Sequence, residues 1–399
     1  MRQHSFIALC ALAAASAVGL VSPVMANPTA AAGYSLATFA SPFADAGLNQ
    51  TTVTGTTPVA PPMVSSPDDI AISGGNVFIG WGNNVPGDGG NGGLSTLAEY
   101  NLNGTLEKSF NIQGHLEGIA VDPNTGLVYT DQNEDGNSSM TIVNTLTGSQ
   151  ARFGYPNPSA HGGGFDGLQL VNGNLYASAS SPNTINVSPA NPNGTNVSPL
   201  IYQVTANTAN YPYNAIPTGI VNGNAQATDL NTGQTVTMNN FDPDSLNLTP
   251  AGSLIVTNES GAQLTIVNNP GATSQSVGVL NLTNTVTGAA ASVDDTGFAT
   301  SANGTLLFAD GKTNVVYALT ATGGFSANQA FSSDKTNHTL DALNFSTGAL
   351  TPIVTGLGSP AGIAFSNTPV GTPEPASLLT VAAGGAVLLL ARRRLNAAR

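Results

Sequence analysis

Acidic side chains recur at one position of a repeated sequence pattern. Each lies two residues before an apolar residue that opens an alternating apolar run: Asp68, Glu117, Asp166 and Asp244. Asp295 lies one residue earlier than this column. If the repeats surround an axis, these carboxylates converge, and converging carboxylates repel one another unless protons or a cation intervene. Oxygen-only ligands favour Ca²⁺ or Mg²⁺, so the five residues are candidate metal ligands.

The same acids have a second interpretation that needs no ligand. An Asp or Glu at the entry to a strand can close the preceding turn by accepting hydrogen bonds from backbone N–H groups. At the level of sequence we favour this turn-closing role, and the cation site stays open as the alternative.

Other residue types offer little further chemistry. His115, His161 and His338 lie near strand starts, but none belongs to a histidine or cysteine cluster of metal spacing, so we interpret them as solvated loop residues. Cys10 is the single cysteine, and no Gly-x-Ser-x-Gly motif indicates a serine hydrolase. We therefore predict no catalytic residue and favour a non-enzymatic role.

The acidic column belongs to six copies of one pattern. The spacings between their first apolar residues are 49, 49, 78, 52 and 65, counted on Ile70, Ile119, Leu168, Leu246, Phe298 and Ile363. A period near 50 with four short strands is typical of a β-propeller blade. We predict an all-β fold, a β-propeller over residues 67–371 with six blades, while five or seven blades remain alternatives.

The long spacings locate insertions. They predict an inserted loop region over 182–240, which can contain strands of its own, and a second surface loop around 323–337. The runs 306–308 and 315–319 are assigned as second and third strands of the copy that begins at Phe298. Since the sixth copy ends near the C-terminal tail, residues 27–66 are predicted to be a linker or to supply outer strands to the last blade.

The net charge of the chain limits the classes of molecule that it can bind. The chain has 9 basic and 22 acidic residues, a net charge of −13. Between residues 27 and 371 only Lys108, Arg152, Lys312 and Lys335 oppose 21 acids, so this part has a net charge of 4 − 21 = −17. Nucleic acids and anionic lipids are bound through many Lys and Arg side chains, so a surface with this net charge repels them. Neutral glycans, cations and solvent suit this surface.

The N-terminal residues have the features of a secretory signal peptide. Residues 1–26 contain Arg2, an apolar run over 6–21, and Val24-Met25-Ala26 before a cleavage point. We predict that this segment directs export and is removed. A membrane helix that is kept is the alternative.

The C-terminal residues 372–399 combine three elements in a fixed order. Pro373, Glu374 and Pro375 precede an apolar segment over 376–391, which is followed by a basic cluster of Arg392, Arg393 and Arg394. A short transmembrane helix with its arginines in the cytoplasm would hold the preceding domain outside the inner membrane. An unprocessed anchor is one interpretation of this tail.

This tail resembles a PEP-CTERM sorting domain, which addresses exported proteins of exopolysaccharide-making Gram-negative bacteria to an exosortase. The resemblance implies an exosortase-type enzyme as partner. It also implies a location at the membrane and then, after processing, at the cell surface or in the extracellular matrix. Exopolysaccharide or a surface protein would be the further partner.

The repeats themselves resemble NHL-type and gluconolactonase-like propellers over residues 67–366. Gly118-Ile119-Ala120-Val121-Asp122 with 126–129 is the best copy, followed by 362–365. The resemblance implies an ion held by a Glu, an Asp and usually an Asn, and no matching Asn can be placed. We therefore expect a non-enzymatic binding or structural module, and a gluconolactonase-like metal-dependent hydrolase is the alternative.

Overall fold

The computed structural model describes residues 27–43, 63–90, 92–157, 159, 161–180, 195–259 and 261–371. These residues contain strands and turns and no helix, so the described chain is all-β. Within them, nothing qualifies as an apolar helix of membrane-spanning length. The predicted signal peptide and the predicted sorting tail lie outside the described residues.

The strands are numbered here in chain order. The first fourteen are β1 (Thr29–Ala30), β2 (Tyr34–Ala40), β3 (Pro67–Ser73), β4 (Asn76–Trp81), β5 (Leu94–Asn101), β6 (Leu106–Gln113), β7 (Leu116–Val121), β8 (Leu127–Gln132), β9 (Ser139–Asn144), β10 (Ser149–Gly154), β11 (Phe165–Val171), β12 (Asn174–Ala179), β13 (Pro199–Asn207) and β14 (Tyr213–Asn222). The remaining strands are β15 (Gln226–Asp229), β16 (Thr235–Thr237), β17 (Pro243–Leu248), β18 (Leu254–Asn258), β19 (Gln263–Asn268), β20 (Ser276–Asn281), β21 (Thr283–Asn284), β22 (Val293–Ala299), β23 (Thr305–Asp310), β24 (Val315–Ala321), β25 (Gln329–Asp334), β26 (Thr339–Asn344), β27 (Ala349–Thr355) and β28 (Pro360–Ser366).

Most consecutive strands pair as antiparallel meanders of four. These are β3 to β6, β7 to β10, β11 to β14 and β17 to β20. The second and third meanders join into one eight-stranded sheet, because β14 pairs in parallel with β10 at Phe153↔Tyr213 and Gly154↔Asn214. Short turns between the strands account for the many Gly, Asn and Pro residues of the chain.

The first strands of these sheets lie around a common axis. In order, β3, β7, β11, β17, β22 and β28 each contact the next, and β28 contacts β3, so the cycle closes. Sheets that radiate from such a cycle form a β-propeller. Closure leaves no innermost strand with an exposed flank, which removes an edge that could pair with another molecule.

The inner strands approach so closely that three of them, β7, β11 and β28, require glycine at the contact. A Cβ on Gly118 would lie 2.3 Å from the carbonyl oxygen of Asp166, and one on Gly167 would lie 2.4 Å from the backbone nitrogen of Leu246. Any side chain at either position would force neighbouring strands apart. The Gly-apolar pairs of the repeat are therefore a requirement of packing around the axis.

Two sheets exchange strands in a way that the sequence analysis did not predict. β22 pairs with β25, with Thr296 opposite Ser332, whereas β23 pairs with β28, with Phe308 opposite Ile363. The assignment of 306–308 and 315–319 to the copy at Phe298 is therefore wrong. The surface loop predicted around 323–337 is also wrong, because β25 lies within it.

The sheet β2-β24-β23-β28 contains strands from both ends of the described chain. β2 pairs antiparallel with β24, from Tyr34↔Ala321 to Ala40↔Val316, and β28 forms its inner strand. The N-terminal segment supplies one outer strand to this sheet. Its other two strands, β23 and β24, come from residues 305–321, since the exchange described above releases them from β22.

The region predicted as an inserted loop contains regular structure in its described part. Residues 195–240 include β13 to β16. β13 and β14 complete the sheet that begins with β11, and β15 pairs in parallel with β20 at Thr228↔Gly278. These strands extend existing sheets.

The N-terminal strand contributes to the core, which yields a first prediction. Phe39 is fully buried, and its ring centroid lies 5.9 Å from that of Tyr100 in the neighbouring sheet. Replacing Phe39 by Ala should lower the free energy of unfolding by about 3–5 kcal/mol, because it removes apolar contacts and leaves a cavity. Urea unfolding followed by tryptophan fluorescence measures this loss.

The matched control is Leu146→Ala, since Leu146 is 85% exposed. This variant should unfold within about 0.5 kcal/mol of the native chain. A Phe39→Ala variant as stable as the control would mean that the N-terminal strand is only a linker.

Candidate functional site: an acidic cavity at the axis

Each inner strand contains a bulge near its start. In β3 the pairing shifts between Pro67 and Ile70, so Asp68 and Asp69 form the bulge. Equivalent shifts occur in the other inner strands, and the first residue of each bulge is Asp68, Glu117, Asp166, Asp244, Asp294 or Ala361. A bulge redirects a side chain relative to the rest of its strand. Here it directs five acids towards the axis.

The structure corrects one predicted site residue. Asp295 was predicted as a candidate ligand one residue before the acidic column, but the bulge of β22 makes Asp294 the equivalent of Asp68, and Asp295 the equivalent of Asp69. The sequence contains a feature that indicates this equivalence, because the dipeptide Asp-Asp occurs at both 68–69 and 294–295. It was hidden because the sequence alignment followed Gly297, which lies beyond the bulge.

The five bulge acids line one cavity of about 670 Å³. Four further acids that sequence reasoning missed line the same cavity: Glu134, Asp135, Asp242 and Glu259. Glu134 and Glu259 each follow the second strand of their sheet, β8 and β18, so their place in the repeat was a detectable signal. The basic residues of the cavity are His115, Lys312 and Lys335.

Lys335 neutralises one side of the cavity. Its Nζ lies 2.5 Å from Glu259 Oε1, 2.5 Å from Asp294 Oδ1 and 4.0 Å from Asp244 Oδ2. Burial alone would lower the pKa of Lys335, but these three acids outweigh it and hold the pKa above its ordinary range. Sequence analysis missed this ion pair because it placed Lys335 in a surface loop.

The other side of the cavity has no such cation. Asp166 is 7% exposed, and among the described residues no ion pair joins its carboxylate to a basic side chain. Burial raises the pKa of Asp166 well above its ordinary value, and the charges of Glu134 and Asp68 raise it further. Lys312 lines the cavity but forms no ion pair among the described residues.

Glu117 lies beside Asp166, and its carboxyl group contacts two other titratable side chains. Its Oε1 contacts His115 Nε2, and the opposite nitrogen of that ring contacts the carbonyl oxygen of Val85. A side-chain hydrogen bond also joins Glu117 to Asp68. Burial raises the pKa of Glu117 well above its ordinary value, followed by the charge of Asp68. The site therefore retains protons or requires a cation.

Two groups of side chains have donor atoms close enough to share an ion. His115, Glu117 and Glu134 form one group, and Asp244, Glu259 and Asp294 form the other, each with donor atoms within 4.8 Å of one another. The second group already surrounds Lys335. The carboxylates of the first group adjoin Asp166, and carboxylate oxygens are the ligands that Ca²⁺ and Mg²⁺ prefer, so this is the part of the cavity suited to such a cation.

The turn-closing role predicted for the acids belongs to the second residue of the bulge. Asp69 accepts hydrogen bonds from the backbone N–H of Ile70 at 2.7 Å and of Ile119 on the next inner strand at 2.5 Å. Asp295 likewise accepts from Thr296 at 2.6 Å and from Ile363 at 2.7 Å. These carboxylates tie neighbouring strands together, whereas the first bulge residues face the cavity.

Two histidines differ from their predicted solvated state. His161 is fully buried beside Phe165, with Nδ1 3.1 Å from the hydroxyl of Tyr202. His115 lines the acidic cavity, as described above. His338 lies exposed in a turn, as predicted.

No protein-family model and no curated protein matches this chain. Among solved structures, it is similar to a periplasmic gluconolactonase of Pseudomonas aeruginosa, with 12% identity, 77% of this chain and 89% of the other covered, and a TM-score of 0.42. It is also similar to a virginiamycin B lyase of Staphylococcus aureus, with 9% identity, 86% and 75% covered, and a TM-score of 0.39. A protein of unknown function from Bacteroides caccae matches with 10% identity, 75% and 86% covered, and a TM-score of 0.42. Likenesses this distant assign no activity, and the architecture rests on the strand pairing described above.

The raised pKa values predict how stability depends on pH. The pKa of Glu134 is raised to about 7 and that of Asp294 to about 8, first of all by burial. An acid with a raised pKa binds more protons in the folded than in the unfolded chain, so stability falls as pH rises between about 4 and 8. The raised pKa of Lys335 contributes stability that is constant across this window. The lowered pKa of Glu259 has the opposite effect to that of the other acids, but only near the acidic end of the window, where Glu259 of the unfolded chain loses its proton.

With EDTA present, the melting temperature should therefore be higher at pH 5 than at pH 8. The double variant Glu117→Gln, Asp166→Asn should reduce this difference, whereas Glu107→Gln, at an exposed position outside the cavity, should not. Scanning calorimetry at the two pH values measures the effect. A native chain that melts at the same or a higher temperature at pH 8 would contradict it.

Proposed function

We propose that this chain is an exported, six-bladed β-propeller that binds a divalent cation, Ca²⁺ or Mg²⁺, in its acidic cavity and acts as a non-enzymatic binding module. The closed cycle of six inner strands supports the blade number. The observation that carries the cation site is Asp166, a buried carboxylate beside Glu117, Asp68 and Glu134 that forms no ion pair with a basic residue in the described part of the chain.

Charge balance explains why a cation fits this side of the cavity. Lys335 provides the positive charge for Asp244, Glu259 and Asp294. No ion pair with lysine or arginine is described for Asp68, Glu117, Glu134 or Asp166, so a metal ion would play the same part there. Carboxylate oxygens are the ligands that Ca²⁺ and Mg²⁺ prefer.

Cation binding should stabilise the fold by mass action. At 100 times its dissociation constant, Ca²⁺ stabilises the folded state by about 2.7 kcal/mol, so the melting temperature at pH 7 should rise by several degrees. Glu117→Gln and Asp166→Asn should each abolish or strongly reduce the rise, because each removes an anionic ligand. Thermal melts of the full chain with EDTA, Ca²⁺ and Mg²⁺ measure this.

Glu107→Gln is the control, since it removes one exposed carboxylate outside the cavity. Its melting temperature should respond to Ca²⁺ as the native chain does. If millimolar Ca²⁺ and Mg²⁺ leave the native melting curve unchanged, the cavity does not bind these ions.

A gluconolactonase-like metal-dependent hydrolase is the second candidate. One observation favours it: Asn84 lines the same cavity as Glu117 and Asp166, which supplies the Asn that sequence analysis could not place. The Asn84 amide, however, already hydrogen-bonds the hydroxyl groups of Ser65 and Ser66. Cation-dependent hydrolysis of glucono-δ-lactone that is lost in Glu117→Gln would favour this candidate over the binding module.

The proposed cellular location rests on the two ends of the sequence. Residues 1–26 support export, and the order of Pro373-Glu374-Pro375, apolar segment and arginine cluster supports anchoring in the inner membrane and processing by an exosortase-type enzyme. After processing, the propeller would lie at the cell surface or in the extracellular matrix, where exopolysaccharide or a surface protein would be its partner. The net charge of −17 between residues 27 and 371 argues against nucleic acid.

Reporter fusions test whether the chain is exported across the inner membrane. A reporter that is active only in the cytoplasm, fused after Gly371, should be inactive, and one active only outside the inner membrane should be active. Removing residues 1–26 from the same fusions should reverse both results, because the export signal is then missing. Full activity of the cytoplasmic reporter in the fusion that keeps residues 1–26 would refute export.

A further inference from the structure

A second concave site lies on the outer side of the propeller, away from the acidic cavity. It is a groove of about 920 Å³ beside β10. β14 pairs with β10 only at Phe153 and Gly154, so the two strands diverge and the groove opens beside the rest of β10. Its walls come from β6, β9, β10 and the segment that leads into β14.

The composition of the groove differs from that of the rest of the surface. Among the residues that the structure describes, its lining consists mainly of Ser, Thr, Asn, Gln and Tyr side chains and includes no Asp, Glu, Leu, Ile or Val. Hydroxyl and amide groups both donate and accept hydrogen bonds, as a ligand rich in hydroxyl groups requires.

One arginine supplies the charge of the groove. Arg152 donates from Nε to Ser139 Oγ at 3.0 Å and from Nη1 to Gln113 Oε1 at 2.6 Å, and the described structure pairs it with no carboxylate. These two neutral partners hold the guanidinium in place. Burial lowers the pKa of Arg152, an unfavourable effect of desolvation that a bound anion would offset.

A tyrosine at the mouth of the groove presents an aromatic face. Tyr211 is 82% exposed, and its ring packs edge-on against Tyr213 with centroids 5.6 Å apart. Tyr213 in turn stacks on Phe153 at 5.4 Å, so the exposed ring is supported by the core of the sheet. A supported, exposed tyrosine offers an apolar surface together with a polar hydroxyl at low entropic cost.

From these features we infer that the groove binds an acidic saccharide, a chain of sugar residues that bear carboxylates. The carboxylate would pair with Arg152, whose planar guanidinium suits bidentate contact. The C–H face of a sugar ring would pack on Tyr211, and the sugar hydroxyls would bond the Ser, Asn and Gln side chains. A peptide fits less well, because the described lining of the groove contains no Leu, Ile or Val that could receive apolar side chains.

Isothermal titration calorimetry of the full-length chain with tetragalacturonate tests this assignment. The titration is done in a polyoxyethylene detergent, which carries no sugar, and in EDTA, so that no metal in the acidic cavity bridges to the ligand. A negative result in this titration would therefore count against the groove alone and would leave the proposed cation site untouched. The matched ligand is the methyl ester of the same tetrasaccharide, which lacks the charge.

Tetragalacturonate should bind, and the ester should bind at least about tenfold more weakly, as expected for loss of a charge-assisted contact. Arg152→Gln should remove the difference between acid and ester. Tyr211→Ala should weaken the binding of both ligands without changing the melting temperature, because Tyr211 is largely exposed. Val286→Ala should bind as the native chain does, because Val286 is 77% exposed in the turn after β21 and does not line the groove.

Three results would overturn the assignment. One is the absence of binding by the native chain, and another is equal affinity for the acid and the ester. The third is native affinity in Tyr211→Ala, which remains informative even if Arg152→Gln proves unstable.

Discussion

Mutual repulsion of buried carboxylates is the constraint on which this structure depends. The cycle of inner strands brings five bulge acids to one end of the axis, and four more acids surround them. Such an arrangement is stable only if protons, a lysine or a bound cation offset the repulsion. The chain places Lys335 on one side, where it contacts Glu259 and Asp294, and leaves the side around Asp166 to protons or an ion. The repeat therefore produces a cavity in which one side is neutralised by a lysine and the other is not.

The same bulges hold the propeller together. Their first residues face the cavity, while Asp69 and Asp295 connect one inner strand to the next through backbone hydrogen bonds. Where the second bulge residue is Gly118 or Gly167, the strands instead touch directly. Site and scaffold are therefore built from adjacent residues, so a substitution at the site also affects the contact between sheets.

Ring closure depends on pairings between distant parts of the chain. β2 and β28 belong to one sheet although more than 300 residues separate them in sequence, and β23 and β24 lie between them in space. This exchange has a direct consequence for the site, because it frees β25 to join β22. Lys335 follows β25 directly and so reaches Asp294, which lies in the bulge of β22.

Residue types and spacing alone determined the all-β class, the period of the repeat and the acidic position in four of its copies. Short apolar runs, turns and a repeated acid are local features, and local features are visible in a sequence. Strand partners, by contrast, were decided only by the tertiary structure, because β23 and β25 both lie between β22 and β28 in the chain and no local feature of either run indicates which inner strand it joins. For the same reason Asp294 and Lys335 were missed. Gly297 resembles the glycine of the other copies in sequence, but it is required for a different reason, the close approach of Ile363. That approach exists only once the sheets have packed.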